Sequence, residues 1–122
     1  MLRRRSLTCI ALFALLGGCA GSSPSEADAR EVLEKNSAWS RGIQEGAIKV
    51  ISFKKVDGQT MEIYGVKHYE MDYVVQLQVL KDSSDGWTVS GGKTRTYAGR
   101  ISFEKTEKGW RGESGGWKYK GP

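Results

Sequence analysis

The chain runs to 122 residues, a length for one domain. Its formal charge of +5 is front-loaded: three of the 19 basic residues are Arg3, Arg4 and Arg5. The other 16 face 14 acidic residues, and that surplus of +2 gives little support for the basic footprint of a nucleic-acid binder, so no nucleic acid is expected as a partner. Two cysteines in all exclude a disulfide-dense scaffold.

The three arginines open a signal pattern. An apolar run follows at residues 7–16, then Leu16-Gly17-Gly18-Cys19. A membrane-spanning helix needs about 20 apolar residues, and this run is roughly half that. The ending resembles the lipobox of bacterial lipoproteins. The resemblance implies cleavage before Cys19, acyl chains on that cysteine, and a cell-envelope location with the membrane as first partner. Ala20, where aspartate would retain the protein at the inner membrane, points to the periplasmic face of a Gram-negative outer membrane. A plain secretory signal cut after Ala20 is the weaker alternative. On this reading residues 1–18 are signal and residues 19–22 a lipidated tether. Residues 23–113 form the domain and residues 114–122 a tail. Cys9 leaves with the signal and Cys19 carries lipid, so no thiol remains for a disulfide, a thiolate zinc site or a nucleophile.

Ser23-Pro24-Ser25-Glu26 reads as a helix start, with Ser23 as cap, proline at the first position and glutamate at the third. Ala29, Val32, Leu33, Asn36 and Trp39 recur at helical spacing. The pattern predicts one helix over residues 24–41, ended by Gly42 in the left-handed conformation.

Beyond Gly46 the period changes. Residues 47–56 read as a strand, and Asp57-Gly58 as a hairpin turn. From Met61 to Val79 the odd positions are mostly apolar and the even ones mostly polar, which predicts a sheet with one wet face. A straight strand over residues 61–80 would span about 66 Å at ~3.3 Å per residue. A chain of this size has a radius of gyration near ~13 Å. The strand must bend or break, most readily at residues 65–68. Residues 82–94 form a polar, glycine-rich loop around Trp87. Residues 96–106 alternate again, with Tyr97, Ile101 and Phe103 on one face. Glu107-Lys108-Gly109 turns the chain into a short strand at residues 110–113 and a glycine, lysine and aromatic tail.

The expected fold is α+β: one N-terminal helix laid on a curved antiparallel sheet of four to five strands. This element order, over residues 23–113, resembles the cystatin-like and NTF2-like folds, in which a curved sheet wraps one helix. Gln78-Val79-Leu80-Lys81 lacks the glycine of the cystatin inhibitory loop, so protease inhibition is not implied.

The chemistry-bearing motifs are thin. His68, Glu70 and Asp72 share a strand face, but residues i and i+2 sit about 6.6 Å apart, and no second histidine completes a metal site. Gly91-Gly92-Lys93-Thr94 lacks the upstream glycine of a phosphate loop, where Trp87 stands. Asp82-Ser83-Ser84-Asp85-Gly86 would put Lys81 at the first position of a calcium loop. No cofactor, no metal and no catalytic group are expected. What stands out is the alternation of aromatics and bases in Trp110, Arg111, Trp117, Lys118, Tyr119 and Lys120. The expectation is a non-enzymatic module that binds an envelope protein or glycan through these residues. The alternative is a small-ligand carrier with a cavity lined by Trp39, Tyr64, Tyr73 and Tyr97.

Overall fold

The computed structural model describes residues 23–89 and 91–122. The expected signal, residues 1–18, and the lipidation site expected at Cys19 lie outside the described residues. Helices α1 (Glu26–Lys35) and α2 (Ser40–Gln44) precede four strands: β1 (Ile48–Ile63), β2 (Val66–Val79), β3 (Arg95–Thr106) and β4 (Gly109–Gly121). The strands form an open antiparallel sheet in the order β1-β2-β3-β4. Both helices cover one face, so the α+β layout holds with two short helices where the sequence predicts one.

The helix starts two residues later than the cap pattern predicts. Ser25 is the N-cap: its hydroxyl accepts from the Asp28 amide at 3.1 Å, and Asp28 accepts from the Ser25 amide at 2.8 Å. Ser25 and Asp28 thus make the reciprocal box that Ser23 and Glu26 were expected to make. The helix stops at Lys35. The Ser37 hydroxyl donates to the Leu33 carbonyl at 2.5 Å and accepts from the Trp39 amide at 3.1 Å. A side chain that takes both roles displaces the helical ladder. Gly42 is not the left-handed residue. It lies within α2, buried against the Ile48 side chain, and Gly46 (φ 77°) makes the left-handed exit.

Strand β1 shows the largest departure from the sequence pattern. Asp57-Gly58 is no turn; the strand continues to Ile63, paired with β2 throughout. Two register shifts interrupt it, between Val50 and Ser52 and between Lys55 and Asp57. Ile51 and Val56 are the extra residues, left unpaired and exposed. Each bulge reverses which parity faces the helices and adds bend to the strand. The second bulge puts Gly58 on the helix face, directly under the Tyr69 hydroxyl, where an added Cβ would collide. The true turn is Tyr64-Gly65, at φ 50° and 80°, closing a two-residue hairpin on the Ile63–Val66 pair. Met61 and Ile63 therefore belong to β1 and pair with His68 and Val66 on the outer face.

Strand β2 follows its pattern. Tyr69, Met71, Tyr73, Val75, Leu77 and Val79 are buried beneath the helices, with Tyr97, Ile101 and Phe103 of β3 beside them. Ala29, Leu33 and Trp39 close the core from above. Strand β4 is longer than predicted. It pairs with β3 from Gly109 to Gly121, so residues 114–121 are the last strand of the sheet and not a tail.

Candidate binding face

Trp39 is the hub of an aromatic cluster. Its side chain is fully buried, with ring centroids of Tyr97, Trp117 and Trp87 at 5.1, 5.4 and 6.1 Å. Four segments meet there. Trp39 comes from the turn between the helices, and Tyr97 from the helix face of β3. Trp87 is brought in by a tight loop: Ser83 donates its amide to the Trp87 carbonyl at 2.8 Å, and its hydroxyl accepts from the Trp87 amide at 2.9 Å. The indole of Trp87 then donates to the Ala38 carbonyl at 3.0 Å.

Trp117 arrives through a bulge in β4. Ser114 pairs with Ile101 and Trp117 with Gly99, so two residues of β4 oppose Arg100. The extra residue, at Gly115-Gly116, reverses the parity of everything after it. Before it Trp110 and Ser114 face the helices; after it Trp117 and Tyr119 do. Without the bulge Trp110 and Trp117, seven residues apart, would point to opposite faces.

The outcome is an open groove of about 400 Å³ lined by Arg95, Tyr97, Trp117 and Tyr119. Trp117 is 40% exposed and Tyr119 53%. The Tyr97 ring stands edge-on to Trp117 (88°, 5.2 Å) and tilted to Tyr119 (55°, 5.4 Å). Arg95 and Tyr97 sit two apart on one strand and share its face. The Arg95 guanidinium has no ion pair or hydrogen bond among the described residues. Among the described residues, none that lines the groove is acidic.

The residues singled out in the sequence divide into three places. Trp117 and Tyr119 line the groove. Lys118 and Lys120 face outward and line a separate hollow beside Asp72 and Arg100. Trp110 and Arg111 lie near the other end of β4, about 20 Å from Trp117 at ~3.3 Å per residue. There Trp110 is half-buried against the core with the Lys105 ammonium 5.4 Å above its ring, and Arg111 pairs with Glu104 at 3.6 Å. The structure does not bring these six into one surface. Trp117 also has a packing role that a tail residue would lack, since its ring closes over Trp39.

The four residues expected to line an interior cavity are not brought together either. Tyr64 is fully exposed at the β1–β2 hairpin tip. Trp39 and Tyr97 pack against each other, and Tyr73 stacks on Phe53 at 5.0 Å. The Tyr73 hydroxyl is buried over Gly99 without a hydrogen bond of normal geometry. Burial pushes this phenol up from 10.0 to about 12, with the neighbouring Ser114 opposing weakly. The fold therefore favours the neutral phenol. Below pH 10 this contribution is intact; as pH rises the unfolded chain ionises first, and stability is lost up to about pH 12. Tyr73→Phe should remove that alkaline loss. At neutral pH it should be neutral or stabilising by up to about 1 kcal/mol, since it deletes a buried hydroxyl whose neighbour Ser114 offers no hydrogen bond of normal geometry. Urea unfolding of both proteins at pH 7 and pH 11 checks this.

On the outer face, Arg100 engages the carboxylates of the His68, Glu70 and Asp72 row. It donates to Asp72 Oδ1 at 2.7 Å and to Glu70 Oε1 at 3.0 Å. Asp72 first, then Glu70, raises the Arg100 pKa further. These carboxylates are held as ion pairs to Arg100, the arrangement of a sheet surface. Sequence reasoning passed over Arg95 and the ring contacts of Trp87. The signal for Arg95 was available: it stands two residues before Tyr97 in an alternating strand.

No family model matches the chain, and neither does any curated protein or solved structure.

Proposed function

We propose that the chain is a lipid-anchored envelope module, not an enzyme, that binds a partner through the groove over Arg95, Tyr97, Trp117 and Tyr119. The observation that carries this reading is the groove itself: two half-exposed aromatic rings beside a guanidinium that has no ion pair among the described residues. Large aromatics and arginine are the residue types that dominate contact energies. The carrier alternative is weakened by the interior. Leu33, Trp39, Met71, Leu77 and Ile101, none more than 1% exposed, fill the space between helices and sheet where a ligand would sit.

The same proposal includes the finer fold, a strongly curved sheet around N-terminal helices as in the cystatin-like and NTF2-like layouts. The two bulges in β1 support it, because each adds bend. The anchor is proposed at Cys19 on the strength of Leu16-Gly17-Gly18-Cys19. Ser23 is only four residues further on, so the domain would stand against the membrane. Among the described residues no helix is long and apolar enough to cross it. Cys19→Ser should release the protein from membranes or leave an unprocessed precursor. A mature, unlipidated and still membrane-bound variant, seen by fractionation and mass spectrometry, would count against the anchor.

The binding test is retention of detergent-solubilised envelope components on the immobilised protein, where the lipid anchor no longer holds the two together. Tyr119→Ala should weaken retention at least tenfold, because an aromatic anchor is typically worth about 2 kcal/mol or more. Its melting temperature should barely move, since half of the ring is already in water. Undiminished retention with Tyr119→Ala would remove the groove as the contact surface.

A further inference from the structure

We infer that the groove's ligand is a carboxylate-bearing sugar, stacked on Trp117 and Tyr119 with its carboxylate gripped by Arg95; this rests on the reading of the groove as a binding face. Three observations point to that chemistry. The first is the rings. One face of a pyranose carries several C–H groups with slight positive charge, and the face of an aromatic ring is negative. Trp117 and Tyr119 each leave about half of their surface open to such a face, and Tyr97 walls the groove between them.

The second is Arg95. A guanidinium presents paired donors in one plane and takes a carboxylate through two parallel hydrogen bonds. Elsewhere in the sheet Arg100 and Arg111 have their carboxylates within the protein, at 2.7 and 3.6 Å. Arg95 has none among the described residues, and the groove supplies none. That leaves the guanidinium open to an external anion.

The third is size. About 400 Å³ falls within the ~300–1,000 Å³ of small-ligand clefts, room for one or two sugar rings. A protein partner would need roughly 800 Å² on each side for a stable interface. Two half-exposed rings are a small apolar centre for that.

The test is calorimetric titration of the full-length protein in detergent. The probe is a tetrasaccharide of α-1,4-linked galacturonate. Its fully methyl-esterified form has the same rings without charge, and a hexaglutamate peptide has the charge without sugar. The galacturonate should bind, and the ester should bind at least tenfold more weakly. Arg95→Gln should lower galacturonate affinity at least tenfold and leave the ester unchanged, and Arg95→Lys should recover only part of the loss. Tyr119→Ala should weaken both sugars alike. Equal binding of acid and ester would overturn the inference. So would hexaglutamate binding as tightly as the sugar, which would identify an acidic peptide. If no sugar binds at millimolar concentration while Tyr119→Ala still abolishes envelope retention, the sugar assignment falls and the binding face stands. If retention is indifferent to Tyr119, the binding face itself falls.

Discussion

Trp39→Ala should destabilise the protein by about 3–5 kcal/mol, the usual range for removing a buried tryptophan. The site has little means of collapse. Trp39 is fully buried, and three other rings lean on it from the β2–β3 loop, β3 and β4. Small domains are stable by only about 5–15 kcal/mol, so the variant loses a large share of its total. At roughly 4–8 °C per kcal/mol the melting temperature should fall far enough to be unmistakable in a thermal scan. The control is Tyr64→Ala, at a fully exposed position, expected within about 0.5 kcal/mol of the parent. Similar losses in the two would show that the cluster is not organised around Trp39. Trp39→Phe should be the milder change, because it also removes an indole N–H that has no acceptor among the described residues.

Deleting Gly116 should damage the protein more than any surface substitution. The deletion removes the extra residue that aims Trp117 and Tyr119 at the helices. With the bulge gone, those rings turn outward and Lys118 and Lys120 turn toward Trp39 and Tyr97. Buried lysine is costly and the lost ring contacts are not replaced. Stability should fall by more than about 2 kcal/mol in urea unfolding, and envelope retention should disappear with it. Gly116→Ala is the comparison. An added Cβ at this position has nothing within 4 Å, so the change should stay within about 0.5 kcal/mol. A deletion as harmless as the alanine variant would mean that the register is reset elsewhere in β4 and that the bulge does not aim the rings.

Parity explains which parts of the fold were legible. Strand β2 has a neighbour on each side and an unbroken alternation, and its buried set from Tyr69 to Val79 follows directly from the sequence. Strand β1 was misread because two bulges reset its parity, and because Asp57-Gly58, good turn chemistry in isolation, sits beside the second of them. The real turn hides behind Tyr64, a tyrosine in a conformation usually left to glycine or asparagine. Strand β4 carries glycine at positions 109, 112, 115, 116 and 121, a composition depleted in strands. Its pairing with β3 holds it extended where local preference would not. Of the site, Trp117 and Tyr119 were visible as residue types. Their company was not, because the contacts with Trp39 and Trp87 depend on a bulge and a loop that no periodicity encodes.

The order β1-β2-β3-β4 also sets a timetable. Each strand pairs with its neighbour in sequence, so the sheet can grow hairpin by hairpin, with tight turns at residues 64–65 and 107–108 and one longer loop over residues 80–94 to close. The groove draws on Trp39 near the start of that sequence of events, on Trp87 and Tyr97 in the middle, and on Trp117 and Tyr119 at its end. Until β4 zips onto β3, Trp39 and Tyr97 lack their cover and Arg95 has no aromatic companion across the groove. A chain stalled at three strands would expose the hub and bind nothing. If the proposed ligand binds at this groove, its binding reports completed folding, and its appearance during refolding should lag the formation of the β1–β2 hairpin.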